Sequence, residues 1–231
     1  MKRCVIFDMD GVIIDSEPIH QECERQIFKI LEINVSDEQH NAVVGTTDEI
    51  MWSQIGNLYE LPITVPEIIQ LKKSLYIEYL KKEAYLRPIP YIPELIVDLC
   101  KNDFLLVLAS SSPHEQINYI LENLRIRHYF HATISGEDVK KGKPHPEIFL
   151  KAAESAGIEP ELCVVIEDSC NGVTAAKSAN MKCIGYINPN SGDQDLSKAD
   201  VVVRSLAEIT VILIKKQCRL KDLNEAFYQG P

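Results

Sequence analysis

Cys4-Val5-Ile6-Phe7-Asp8-Met9-Asp10-Gly11-Val12 is a short apolar run that stops on an acid. Cys4 to Phe7 has the make-up of a buried strand. In an open parallel sheet, ligands gather beyond the carboxyl ends of the strands. Two acids two residues apart, followed by a glycine that permits a tight turn, fall where chemistry is expected. Both cannot ionise cheaply side by side without a cation or a shared proton. A hard divalent ion, commonly Mg²⁺, is the natural solution. Taken alone, the stretch reads as well as a strand end and an ordinary Asp-Gly turn.

Further apolar runs read as strands at Phe104 to Leu108, Thr133-Ile134, Cys163 to Ile166, Cys183 to Ile187 and Val201 to Val203. Helical patterns separate most of them. Ile117, Ile120, Leu121 and Leu124 recur at helical spacing after Pro113, and Ile148, Phe149, Ala152 and Ala153 do so after Pro146, placed as a first-turn proline. Alternating strands and helices with near-continuous apolar strands predict α/β architecture, a doubly wound parallel sheet covered on both faces.

From about Ser16 to Arg87 the alternation fails: no convincing strand occurs, only helical stretches such as Gln21 to Leu31 and Pro66 to Lys82. The run Arg87-Pro88-Ile89-Pro90-Tyr91-Ile92-Pro93 closes the segment. The expected organisation is therefore a core from 1–15 and 88–231 with an inserted helical cap at 16–87, entered and left by hinges. The polar tail beyond Leu220 is expected to be loosely held.

Of the 231 residues 45% are hydrophobic and 25% charged, enough for a real core, and the net charge is −10. Such an acidic chain argues against nucleic acid or an anionic membrane as partner, and local cations must draw in any anionic ligand. No apolar stretch approaches a membrane span, and the first one ends at Asp8, short of a signal peptide. The seven cysteines are scattered without a CxxC pair, as expected of reduced thiols in a cytoplasm.

Three more stretches carry chemistry. Cys163-Val164-Val165-Ile166-Glu167-Asp168-Ser169 is a second strand ending in acids, or an N-cap followed by a helix. Two acidic strand ends on one sheet edge would repel each other unless a metal holds them. Leu108-Ala109-Ser110-Ser111-Ser112-Pro113 runs into a serine-rich helix start, which reads as an anion site or as plain capping by Ser112. Lys141-Gly142-Lys143-Pro144-His145-Pro146 offers an ammonium to a phosphate, or an ordinary surface lysine. Together the four stretches supply a nucleophile, a metal site, an oxyanion site and a counter-charge.

This set resembles the haloacid dehalogenase superfamily: the DMDGV motif at Asp8 to Val12, Ser110 after an apolar strand, Lys143-Pro144, and Glu167-Asp168-Ser169. It looks most like the β-phosphoglucomutase and sugar-phosphate phosphatase branch with a helical cap. The resemblance implies that Asp8 is the nucleophile forming an aspartyl-phosphate and that Asp10 is the general acid and base. It implies Mg²⁺ held by Asp8, the Asp10 carbonyl, Asp168 and Glu167, with Ser110, Ser111 and Lys143 on the phosphoryl oxygens. The expected activity is hydrolysis of a small phosphomonoester, with a sugar phosphate as the expected substrate, by a monomer. The rivals are an isomerase using the same intermediate and a non-enzymatic binding protein of the same fold.

In that branch Asp15, Ser16 and His20 fall near the hinge and face the active site. Asp15 and Ser16 read equally as an N-cap, and His20 equally as an exposed helical residue. In Val44-Gly45-Thr46-Thr47-Asp48-Glu49, Asp48 stands where the mutases carry an arginine that grips a second phosphate, which favours a phosphatase. Lys72 and Lys73 read as a solvated helix face, Arg87 stays open as a compensating cation, and Trp52 and Tyr59 read as cap packing or as a sugar- or nucleoside-binding surface. Cys4 and Cys170 read as packing residues.

Overall fold

The structure, a computed structural model, describes residues 2–43, 47–82 and 86–217. Its six strands are β1 (Arg3–Phe7), β2 (Phe104–Ser110), β3 (Ala132–Ser135), β4 (Cys163–Glu167), β5 (Lys182–Tyr186) and β6 (Val201–Val203). They form one parallel sheet in the order β3-β2-β1-β4-β5-β6. The chain winds outward from β1 through β2 to β3, then crosses back and winds outward through β4. β1 is therefore central, with the switch point beside it, and Phe7 registers with Leu108 on one side and Ile166 on the other. The ends of β1, β2 and β4 are thus brought to a single edge.

Alternation along the strands supplies two hydrophobic layers. Val5, Phe7, Leu106, Leu108 and Ile166 pack on one face, while Cys4, Ile6, Val107, Ala109 and Val165 pack on the other. The helices before and after these strands cover both layers. In chain order they are α1 (Glu17–Ile30), α2 (Asp37–Asn41), α3 (Asp48–Leu58), α4 (Val65–Leu80), α5 (Ile92–Lys101), α6 (His114–Asn123), α7 (Glu147–Ala156), α8 (Cys170–Ser178) and α9 (Val211–Gln217). The first face receives Leu95, Ile96 and Leu99 of α5 and Ile117 and Ile120 of α6; the second receives Ile148 and Phe149 of α7.

Helices α1 to α4 occupy the expected strand-free segment, and no strand occurs there among the described residues. They enclose a separate apolar cluster containing Ile27, Phe28, Trp52, Ile55 and Ile68. Burying side chains of this size stabilises by about 1.5–3 kcal/mol each. The near ends of α1 and α4, through Ile19, Cys23, Tyr76 and Leu80, join the first layer of the sheet instead. The two connections lie side by side, tied by the Ile14–Pro88 bridge and by Ile89 N–H donating to the Ile13 carbonyl at 2.9 Å.

Boundaries move by a few residues. β2 runs on to Ser110, and α1 starts at Glu17 with Pro18 in its first turn. Pro146 stands at the N-cap of α7, not inside the helix. Trp52 is fully buried, and the Tyr59 hydroxyl bonds Gln39 and the Asn34 carbonyl, so both are packing residues. Cys4 is fully buried and Cys170 half-buried, and neither is disulfide-bonded. Val44 to Thr46 and the tail beyond Leu220 lie outside the described residues. Among those residues no helix is long and apolar enough to cross a membrane.

Candidate active site

Asp8 follows the last residue of the central strand, its N–H donating to the Ile166 carbonyl at 3.0 Å, which holds it at the sheet edge. Lys143 Nζ reaches Asp8 Oδ1 at 2.5 Å, Glu167 Oε1 at 2.8 Å and the Ala109 carbonyl at 3.3 Å. One ammonium thus ties the ends of β1, β2 and β4 together. All three side chains are buried. Burial pushes the Asp8 carboxyl up to about 7; Lys143 opposes this, and Glu167 and Asp10 add to it. Burial would lower the Lys143 ammonium, but Asp8 and Glu167 outweigh it and hold the proton firmly.

Asp168 completes the acidic edge. Its Oδ2 accepts from the Ser191 hydroxyl at 2.5 Å. Burial first, then Glu167 and Asp8, push its carboxyl well above the usual range. Two glycines make room for these acids. A Cβ on Gly11, at φ +79°, would lie 1.9 Å from Asp168 Oδ2, and one on Gly172 would lie 1.6 Å from Glu167 Oε1. Glu167 Oε2 accepts from the N–H and hydroxyl of Ser169, and the Ser169 hydroxyl in turn caps α8.

Asp10 is held separately. Its Oδ2 accepts from Ser112 Oγ at 2.8 Å and Ser110 Oγ at 3.4 Å, and its Oδ1 from the Tyr76 hydroxyl of α4 at 3.3 Å. Ser112 is therefore no helix cap; Pro113 takes that position. His20 stacks on Tyr76 with ring centroids 4.5 Å apart, and its shielded Nδ1 has no partner among the described residues. Burial lowers the pKa of this imidazole.

Several of these groups line a cleft of about 320 Å³. Asp8, Asp10, Ser111, Lys143, Glu167 and Asp168 lie at its sheet end, and His20, Glu24, Asp48 and Lys72 at its helical end. Asp15 is a correction: it turns away to Asn188 and Asn190 and lines a different cleft with Arg87. Lys72 is another, because it is buried and not solvated; Lys73 is exposed. Lys72 Nζ bonds Glu24 Oε1 at 2.6 Å and Asp48 Oδ1 at 2.5 Å, and Glu24 Oε2 meets His40 Nε2 at 2.5 Å.

Sequence reasoning missed Tyr76, Glu24, Ser191 and the bond from Ser112 to Asp10. A signal for Glu24 exists, since Glu17, His20 and Glu24 recur at the spacing of one helical face. No three His, Cys, Asp or Glu side chains among the described residues are gathered into a ready metal cluster. The donor set nevertheless suits a hard cation, because the carboxylates outnumber the one lysine and burial has raised two of them.

Fold and cleft together define an α/β enzyme with its reactive carboxylates at the topological switch point. The pattern of the haloacid dehalogenase-like hydrolases matches residues 5–186. The chain is 33% identical to hexitol phosphatase B of Escherichia coli K12 over 209 residues, 89% of this chain and 93% of that protein. It is 31% identical to a phosphorylated carbohydrates phosphatase of Thermotoga maritima, covering 93% and 99%. The crystal structure of β-phosphoglucomutase from Clostridium difficile superposes with a TM-score of 0.76 at 27% identity, covering 94% of this chain and 97% of that one. The chain belongs to the haloacid dehalogenase-like hydrolases. Within them it is a phosphoric monoester hydrolase.

Proposed function

We propose that the chain hydrolyses the phosphate monoester of a small carbohydrate in two steps at Asp8. The carrying observation is the Asp8 carboxylate at the end of the central strand, 2.5 Å from the buried ammonium of Lys143. In the first step an Asp8 oxygen attacks phosphorus, the bond to the carbohydrate oxygen breaks, and Asp10 gives that oxygen a proton. In the second, water attacks the aspartyl-phosphate, Asp10 takes up its proton, and the Asp8 carboxylate leaves with both bonding electrons. Lys143, Ser110 and Ser111 bind the phosphoryl oxygens, where charge stabilisation matters more than covalent chemistry.

Asp8, the Asp10 carbonyl, Glu167 and Asp168 would hold Mg²⁺, which when bound neutralises charge on the carboxylates and the phosphoryl group. The segment 16–87 is read as a cap over a core of 1–15 and 88–231, supported by its own apolar cluster and the paired connections at Ile14 and Pro88. Closure of such a cap excludes bulk water. A carbohydrate monoester is supported by the two phosphatase relatives. A cytoplasmic setting suits the thiols, none of which is disulfide-bonded among the described residues.

The test is inorganic phosphate release from a panel of sugar phosphates and nucleotides, with Mg²⁺ or EDTA, for wild type and Asp8→Asn. The expected result is metal-dependent release that falls at least about 10⁴-fold in Asp8→Asn, the scale seen when a covalent nucleophile is removed. Release that survives in Asp8→Asn would overturn the nucleophile assignment. Isomerisation of β-glucose 1-phosphate with little phosphate release would replace hydrolysis by the mutase reaction.

A further inference from the structure

The helical end of the cleft has a definite hydrogen-bonding character. Lys72 carries three N–H donors, and Glu24 and Asp48 engage two of them. Both oxygens of Glu24 are spoken for, by Lys72 and His40. Among the described residues nothing bonds Asp48 Oδ2, and the Asp48 side chain remains one-third exposed. Among the described residues one donor on Lys72 and one acceptor on Asp48 are thus left over on the same ion pair.

A hydroxyl both donates and accepts, so it satisfies the two together. A carboxylate or phosphate only accepts, so it would satisfy Lys72 and face the Asp48 charge. The charge count points the same way, since Glu17, Glu24 and Asp48 face Lys72 and His40. Burial first, and then the neighbouring Glu24, push the Glu17 carboxyl up to about 7, so ionising a further acid at this end is costly. Lys72 is thus no spare cation for a second anion. Met51 and Val43, which line the same end, add apolar surface and no counter-charge.

We propose that the Glu24–Lys72–Asp48 trio selects the substrate: it binds hydroxyl groups at the far end of an uncharged carbohydrate monophosphate and rejects esters with a second anionic group there. This rests on the reading of the cleft as a phosphomonoester site.

The test uses matched esters, so that wild type alone decides. Glucitol 6-phosphate and 6-phosphogluconate differ only in a terminal CH₂OH against a carboxylate; glucose 6-phosphate and glucose 1,6-bisphosphate make a second pair. Phosphate release by the Mg²⁺-supplied enzyme should give a kcat/KM at least about tenfold higher for the neutral member of each pair, since a like charge at close range is strongly disfavoured. Asp48→Asn keeps the size of the side chain in the first turn of its helix and should shrink that preference severalfold, while Asp48→Lys should shrink it further. Equal rates within a pair, or a preference unmoved by both variants, would overturn the assignment while leaving the phosphatase reading intact. No release from any of the four esters would overturn the phosphatase reading, and this inference with it.

Discussion

Among the described residues two buried lysines each bridge two carboxylates at 2.5–2.8 Å, one at either end of the same cleft. Their surroundings differ. Around Lys143 stand Asp8, Glu167 and, a little further off, Asp168, so negative charge is in excess, and burial holds Asp8 and Asp168 above the usual carboxylate range. Around Lys72, burial would likewise raise Glu24, but the hydrogen bond from His40 and the ion pair with Lys72 win and hold it below that range. The first cluster is electrostatically unfinished and suits a cation, and with that cation bound a transferring phosphoryl group. The second is nearly complete in itself, which suits a wall.

That contrast predicts crossed effects of the same substitution. Lys143→Met should cut kcat on the best ester by about 10²–10³-fold, the scale of losing one charge-stabilising group. Lys72→Met should act mainly on stability, because it leaves the buried Glu24 and the half-buried Asp48 without their cation; breaking a buried pair costs about 3–5 kcal/mol. Glu24 keeps His40, so the lower end is expected. Urea unfolding and steady-state phosphate release on both variants check this. If Lys72→Met lost as much kcat as Lys143→Met without losing stability, the two clusters would share one role.

The sheet end was legible in the sequence because its physics is local. Apolar runs make strands, a parallel sheet gathers their carboxyl ends, and acids at two such ends must meet. The helical end needed tertiary information. Lys72 sits four residues after Ile68 and four before Tyr76, on the buried stripe of α4, yet the adjacent Lys73 makes the pair look like a solvated face. Asp15 failed for another reason. The segment Val12 to Ile14 is wholly buried, and the chain turns so that Asp15 meets Asn188 and Asn190, contacts spanning more than 170 residues. For Ser112 the sequence leaves capping open, because a serine before a proline and a helix normally caps. Here β2 runs further and turns the hydroxyl towards Asp10.

Tyr76 ties the two ends together: it belongs to α4, which also carries Lys72, and it bonds Asp10. We expect Tyr76→Phe to lower kcat up to about tenfold with KM and thermal stability nearly unchanged, consistent with one lost hydrogen bond of about 1 kcal/mol. A matched fall in stability would make Tyr76 a packing residue only. A rise in KM alone would move it to the substrate.

The smallest expected effect separates the clusters by the sign of their pH dependence. Asp8 has a folded value of about 7 against an ordinary 3.8, so its contribution is a destabilisation, absent below 3.8 and complete above about 7. Glu24 is shifted the other way, so its contribution is a stabilisation, present above the ordinary 4.5 and lost as pH falls through its lower folded value. Between pH 5 and 8 in EDTA, wild type should therefore lose stability relative to Asp8→Asn, by on the order of 1 kcal/mol, while its margin over Glu24→Gln changes less, only through the Glu17 carboxyl that Glu24 helps to raise. Thermal melting at the two pH values measures both differences. Parallel curves for the two variants would mean that the clusters are electrostatically alike. Added Mg²⁺ should raise the wild-type melting temperature more at pH 8 than at pH 5, because a cation at the Lys143 cluster relieves a cost that exists only once Asp8 is ionised.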